Sequence, residues 1–187
     1  MDRRDCIKKF AGLGMCACMM PLLNLDKKTL ASTLPDDEFD QVKMQKEFIQ
    51  NWLVDLLNTM DKVLDRETQV KIIEGCGKGY YDRHKFKQDI AAKGKDDLEK
   101  LIQAYSQNFE IWKDRDIVHI RYGEVSARCY CPAANYRPAK PNDLHCECTR
   151  MTHRTIFETA LDRPFKVDII ESLRRGGKTC HFAVHLT

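Results

Sequence analysis

The sequence predicts an α+β fold, in which N-terminal helices pack on a small antiparallel sheet with one late helix and a closing β-hairpin. Apolar residues recur at helical spacing up to about residue 112. From about residue 118 onward they alternate with polar residues, which is typical of strands. Helices followed by a strand pair, a helix and a hairpin are the order expected of an α+β domain.

The helical half is predicted as several segments separated by breaks. A long helix is expected from Phe39 to Leu64, because its apolar side chains recur every three or four residues. A second helix should begin at Arg66 and end at the glycine-rich segment 74–79. A third, short helix falls within 80–92. An aromatic stripe over 98–112 then predicts one more segment that faces the core.

The strand half opens with a predicted pair. Residues 118–122 alternate apolar with polar side chains, and a turn follows at Gly123. Residues 125–131 are predicted as the second strand, whose apolar face continues into Cys129 and Cys131. This face should point both cysteines inward.

The last part of the chain is predicted as a loop, a helix and a hairpin. The prolines make 132–143 a loop, and a helix is expected from Thr149 or Thr152 to Leu161. Residues 165–169 and 180–186 alternate as the two strands of the hairpin. His181 and His185 should lie on the face opposite to the apolar side chains of the last strand.

Composition narrows the class of protein. The chain has 187 residues, of which 43% are hydrophobic, enough for one well-buried domain. Residues 1–31 contain six Lys or Arg and three Asp, so the rest of the chain has 25 basic and 25 acidic side chains and is neutral. A neutral body argues against nucleic acid as a partner, because phosphate binding needs a basic surface. We therefore expect a small-molecule ligand or substrate and no nucleic acid.

The first 31 residues resemble a twin-arginine export signal. Arg3 and Arg4 precede an apolar stretch from Phe10 to Leu23, and a cleavage-like site follows at Ala31. The alternative is an amphipathic first helix of the domain. The signal predicts recognition by the twin-arginine export machinery and a periplasmic or extracytoplasmic location for a single domain of residues 32–187.

A second targeting motif gives a weaker signal. Met15-Cys16-Ala17-Cys18 resembles a lipoprotein box, and acylation at Cys18 would anchor the protein to a membrane. The apolar stretch before this box is shorter than usual, so a membrane partner is expected only if Cys18 is lipidated.

Six cysteines follow the signal, and four of them form two Cys-x-Cys pairs. On an extended segment each pair would aim two thiolates at one point, and four thiolates make a tetrahedral zinc site. Disulfides or free thiols are the alternatives, since an even number of cysteines in an exported chain is also typical of disulfides. The candidate metal ligands, for zinc or another transition metal, are Cys76, Cys129, Cys131, Cys146, Cys148 and Cys180.

Four motifs in the second half carry a resemblance to a known family. They are residues 129–132, 146–150, 156–158 and 171–182, with the sequences CYCP, CECTR, IFE and ESLRRGGKTCHF. As a set they resemble the cysteine-rich bacterial proteins grouped with L-2-aminothiazoline-4-carboxylate hydrolase. The last motif also resembles the 4-vinyl-reductase (hydrocarbon-binding) domain.

The resemblance implies a fold and two functions. The hydrolase opens a small sulfur- and nitrogen-containing ring, whereas the 4-vinyl-reductase-like domain binds small apolar molecules. Some members of the latter hold zinc through cysteines near the last hairpin. Cys180 falls at the final such position, but Ser172 stands where that pattern has an earlier cysteine. The two Cys-x-Cys pairs would then have to supply the missing ligands.

Candidate site residues follow from this chemistry. Cys129 and Cys146 are candidate nucleophiles, and His153 lies one turn after the second pair, where it could serve as a base. The alternative for His153 is a solvated helix histidine. Arg150 and Arg154 are one turn apart and could clamp a substrate carboxylate, or simply form an exposed basic face.

Three functions stay open at the level of sequence. The first is an exported, metal-binding protein with a small-molecule site, which hydrolyses a cyclic C–N bond. The second is a non-catalytic small-molecule binding or sensor module. The third is a thiol redox protein, disfavoured because the chain has no Cys-x2-Cys motif.

Overall fold

The computed structural model describes residues 36–134 and 136–187, with side chains from residue 39. The chain divides into two compact units, residues 1–44 and 45–187. Of the first unit only the helical residues 36–44 are described. The predicted export signal and Cys18 lie outside the described residues.

Five helices are described. The second helix is capped by Asp65, whose side chain accepts a hydrogen bond from the Thr68 backbone N–H. The fourth is capped by Asp97, which accepts from Lys100 in the same way. The bounds are α1 (Asp36–Val63), α2 (Arg66–Arg83), α3 (Lys85–Lys93), α4 (Leu98–Ser106) and α5 (Cys146–Leu161). None of the helices in the described part of the chain is long and apolar enough to cross a membrane.

Four strands form one antiparallel sheet in the order β1-β2-β4-β3. Between the last two strands a 3-10 turn, Leu173–Arg175, is capped by the Ser172 side chain. This architecture confirms the predicted α+β class and the closing hairpin. The strands are β1 (Glu110–Asp114), β2 (Ile117–Arg121), β3 (Lys166–Glu171) and β4 (His181–His185).

The core consists of two clusters of buried residues. The larger joins one face of the sheet to α2–α5; its fully buried side chains include Tyr105, Val118, Ile120, Phe157 and Val184. The smaller joins α1, α2 and the loop before α5; its members are Val54, Leu57, Met60, Ile73, Ala133 and Leu144. The alternation of β2 and β4 thus places apolar side chains inward, as predicted.

Two predictions for the helices are wrong. The stripe over 98–112 is not one segment, because α4 ends at Ser106 and β1 begins at Glu110. The glycine-rich segment 74–79 does not end the second helix, which continues to Arg83. Gly77 is instead a point of close packing, since a β-carbon there would lie 2.3 Å from the Cys148 carbonyl oxygen on α5.

Two predictions for the cysteine segments are also wrong. Residues 125–131 form bends and irregular backbone, so Cys129 and Cys131 are not on a strand. The late helix begins at Cys146 and not at Thr149 or Thr152, which places Cys146 and Cys148 in its first turn. Side chains two positions apart on a helix point in different directions, so this second pair does not converge on one point.

Candidate functional site

A cleft lies beside the first cysteine pair. Its volume is about 640 Å³, within the range of small-molecule pockets. Lys46, Arg128, Arg137 and Arg174 supply four cationic side chains to its wall, and among the residues that the structure describes no Asp or Glu lines it. Cys129 and Cys131 line the same cleft. The site therefore combines two thiols with a positively charged surface.

The two thiols of this pair are chemically unequal. A hydrogen bond from the Cys131 side chain, together with the smaller effect of the Arg174 cation, lowers the pKa of Cys129 to about 6. The Cys131 backbone N–H also donates to Cys129 Sγ at 3.4 Å. The same thiol–thiol hydrogen bond and burial raise the pKa of Cys131. At neutral pH Cys129 is therefore the thiolate and Cys131 the thiol.

A buried ion-pair network holds the loop that carries the cleft. Arg174 donates to Asp143 Oδ2 at 2.7 Å from Nη2, and to the Arg137 and Pro138 backbone carbonyls at 2.6 and 2.9 Å. Arg137 donates to Asp61 Oδ2 at 2.5 Å. Asp143 and Arg174 are each no more than 5% exposed. This network fixes the loop on α1, so the cleft wall is preorganised.

Lys46 and Arg128 differ from the two arginines of the network. Both are exposed, and neither forms an ion pair with another described residue. The Arg128 guanidinium lies 5.3 Å from the Tyr130 ring centroid. These two cations are therefore available to an anionic ligand at the rim, whereas Arg137 and Arg174 are already engaged.

The other cysteines of the described residues do not line the cleft. Cys146 Sγ is 3.1 Å from Ser172 Oγ, and burial raises the pKa of Cys146 to about 11. Burial also raises the pKa of Cys148 to about 11, with a further contribution from Cys76 next to it. Burial raises the pKa of Cys180. These thiols are weaker nucleophiles at neutral pH than Cys129.

The predicted metal ligands do not converge as zinc requires. Across the described residues, no three His, Cys, Asp or Glu side chains are grouped closely enough to hold a metal ion. The helical start at Cys146 explains part of this, because it turns the second pair apart. Cys146 forms a hydrogen bond with Ser172. Ser172 occupies the position where the resembled pattern has a cysteine. As arranged, the residues do not fit a tetrahedral site, and zinc stays a prediction.

Comparison with known proteins gives no evidence on the function of the site. The chain matches no protein-family model and no curated protein. The resemblance to the aminothiazoline-carboxylate hydrolase group therefore rests on the quoted motifs alone. The functional interpretation depends on the geometry of the cleft and on the chemistry of its thiolate.

His153 is buried and is not a solvated helix residue. Its Nδ1 lies 3.2 Å from the Tyr105 hydroxyl and its Nε2 lies 3.1 Å from the Tyr122 hydroxyl. Burial, and to a lesser extent the Lys87 cation, lowers the pKa of His153 well below its usual value. A neutral imidazole bridging two phenols is thus part of the core, and His153 is not among the residues lining the cleft.

Lys87, near this histidine, was not singled out in the sequence. It is only 5% exposed, and burial lowers its pKa to about 8. Its ammonium lies 4.8 Å from the Phe86 ring centroid and 5.2 Å from that of Phe109. The sequence of α3 contains three lysines and gives no signal that would distinguish Lys87 from the exposed Lys85 and Lys93.

The predicted carboxylate clamp is already occupied by protein carboxylates. Arg150 donates to Glu147 at 2.6 Å and to Glu74 at 2.5 Å, which ties α5 to α2. Arg154 donates to Glu158 at 2.7 Å along the same helix. Neither arginine lines the cleft. A structural role explains both, and Lys46 and Arg128 are better placed for an anion.

Proposed function

We propose that this protein is a thiol-dependent hydrolase of a C–N bond in a small, carboxylate-bearing cyclic compound. The observation that carries the proposal is the position of Cys129. Its pKa of about 6 makes it a thiolate at neutral pH, and it lines a cleft to which the described part of the chain contributes four cations and no carboxylate. A preformed thiolate needs no separate base to become a nucleophile.

The charge of the cleft selects the substrate class. Lys46 and Arg128 are exposed and available, so they bind the substrate carboxylate at the rim. Arg174 lies deeper and lowers the pKa of Cys129, so its charge stabilises the thiolate. A small anionic heterocycle fits both the volume and the charge of the cleft better than a neutral hydrocarbon does.

The reaction follows from the nucleophile. The Cys129 thiolate adds to the ring carbon of the C=N bond, and the ring nitrogen takes one proton. The exocyclic amino nitrogen then forms a new C=N bond and gives up a proton, and the ring nitrogen takes this second proton and leaves as an amine. Water adds to the same carbon, Cys129 leaves as the thiolate, and the first proton is returned to its donor. One water is consumed, and because the ring C–S bond is kept, an aminothiazoline carboxylate yields an S-carbamoyl-cysteine. Cys131 keeps its proton at neutral pH and lines the same cleft, so we assign it as the donor of the first proton.

The test is hydrolysis of L-2-aminothiazoline-4-carboxylate by the purified protein. We expect turnover that is abolished in Cys129→Ala and retained in Cys76→Ala, since Cys76 is an exposed thiol that does not line the cleft. Lys46→Ala should raise KM more than it lowers kcat, because Lys46 binds the carboxylate and not the reacting atoms. Circular dichroism verifies that each variant is folded.

Two alternatives are separate outcomes of this test. Absence of turnover together with saturable binding of an apolar ligand would favour the non-catalytic binding module. Absence of turnover with a reversible disulfide between Cys129 and Cys131 would favour a thiol redox protein.

Zinc binding and export are separate proposals, and each has its own test. Metal content per chain, in protein made in the cytoplasm and purified without chelator, tests zinc: near one zinc with masked thiols supports it, and freely titrated thiols oppose it. Arg3→Lys combined with Arg4→Lys tests export. Retention of the precursor in the cytoplasm supports a twin-arginine signal, and unchanged export opposes it.

A further inference from the structure

Two histidines meet on the face of the sheet opposite to the core. His119 on β2 and His181 on β4 are diagonal neighbours, because His119 pairs with Ala183 and His181 pairs with Arg121 in the strand register. His119 Nδ1 lies 3.0 Å from His181 Nε2. Both side chains are half-buried. The proposed hydrolase does not use them, since neither lines its cleft.

We propose that His119 and His181 form a binding site for a divalent late transition metal of the Cu(II) or Ni(II) class. Imidazole nitrogens are preferred ligands of these ions. At metal–nitrogen distances of about 2.0–2.1 Å, two nitrogens this far apart subtend an angle of about 90° at the metal. That angle belongs to square-planar and octahedral coordination, whereas tetrahedral zinc would need the nitrogens about 3.3 Å apart.

Metal binding requires a rearrangement of the proton that the two rings share. Burial lowers the pKa of His181, and the neighbouring His119 and Arg121 contribute in the same direction. In the hydrogen bond between the rings, one proton lies on the line between the two nitrogens. When a metal binds, that proton moves to the other nitrogen of its own ring, and each ring turns so that its lone pair is directed at the ion.

The surroundings orient the ligands and leave coordination positions open. The Trp112 ring stacks on His119 with centroids 4.9 Å apart and an interplanar angle of 16°. Arg121 is paired with Glu110 at 2.5 Å, which reduces the repulsion between its charge and a cation. Glu171 pairs with His181 in the register of β3 and β4. Water or an external ligand completes the coordination, which makes the site open to exchange.

The experiment uses the contact between Trp112 and His119 as its signal. Ni²⁺ is titrated into full-length protein carrying Trp52→Phe, which leaves Trp112 as the single tryptophan of the chain. Cys129→Ala and Cys131→Ala are added to the same background, so that the reactive thiols do not compete for the ion. Tryptophan fluorescence reports binding, because a bound Ni²⁺ ion beside the indole quenches its emission.

We expect saturable quenching with one ion per chain. His119→Gln and His181→Gln should each weaken the apparent affinity about tenfold or more, since loss of a ligand costs at least as much as loss of an outer-shell partner. His185→Gln is the matched control, because His185 lies on the same face but is held by Asp168 at 2.8 Å. Its affinity should match that of the parent.

Two results would overturn the site. One is the absence of saturable quenching in the parent protein. The other is quenching that His119→Gln and His181→Gln leave unchanged while circular dichroism shows both variants folded. Glutamine keeps a hydrogen-bonding amide at each position, so loss of the fold is not the expected consequence of either change.

Discussion

Asp143 accepts two hydrogen bonds from Arg174, at 2.7 Å from Nη2 and 3.1 Å from Nε, in an environment closed to solvent. Arg137 adds a longer contact to the same carboxylate, at 3.4 Å. Both arginines line the cleft, so Asp143 compensates two of the positive charges in the wall of the cleft. The proposed function therefore depends on a carboxylate that does not itself line the cleft.

Asp143→Asn should be strongly destabilising. It leaves Arg137 and Arg174 with one compensating charge fewer, and removal of one partner from a buried ion pair costs about 3–5 kcal/mol. Urea unfolding measures the difference in free energy of unfolding. Asp168→Asn is the control, because its ion pairs lie on the partly exposed face of the sheet and should be worth under about 1 kcal/mol. Equal losses in the two variants would contradict the network.

The crossing of α2 and α5 makes two neighbouring glycines unequal. A β-carbon at Gly77 would lie 2.3 Å from the Cys148 carbonyl oxygen, whereas a β-carbon at Gly75 meets nothing within 4 Å. Gly77→Ala should therefore destabilise the protein by about 1–3 kcal/mol through overpacking. Gly75→Ala should stabilise it by up to about 1 kcal/mol, because alanine is the better helix former. Thermal unfolding of both variants measures the contrast, and effects of the same sign would contradict the close packing.

The sequence predicted those elements whose pattern is local. The alternation of β2 and β4 was sufficient, since it reflects one buried face. The apolar spacing of α1 predicted the helix, although Val42, Ile49 and Trp52 are exposed on it. The glycine-rich segment of α2 led to a wrong helix end, because Gly77 permits close packing against α5, which is remote in sequence. The start of α5 at Cys146 could not be predicted either, since the local sequence pattern there does not distinguish a helix from an extended segment.

Buried His153 should make stability depend on pH. Its pKa is well below the usual value in the folded protein, so below about pH 6.5 the unfolded chain binds a proton that the folded chain does not. Stability is therefore complete above that pH and falls as the pH is lowered through it. His153→Gln should reduce the slope between about pH 6.5 and 5, measured by urea unfolding. An unchanged slope would contradict a buried neutral imidazole.

The candidate site was only partly predictable. Cys129 was selected as a nucleophile from its motif, but its inequality with Cys131 depends on a thiol–thiol hydrogen bond that no spacing reveals. Arg174 stands in a basic, glycine-rich segment of the sequence, yet it is buried and holds the loop before α5. The burial of Arg174 can be explained only from the structure, which places Asp143 as its ion-pair partner.

The most direct test of the account is the rate of Cys129 alkylation by iodoacetamide as a function of pH, resolved from the other cysteines by peptide mass spectrometry. We expect a midpoint at about pH 6, following the pKa of Cys129. Cys131→Ala removes the hydrogen bond and should move the midpoint upward, toward the ordinary thiol value of about 8.5. Cys76→Ala should leave it unchanged. A midpoint near pH 8.5 in the parent, insensitive to Cys131→Ala, would contradict the thiolate on which the proposed function rests.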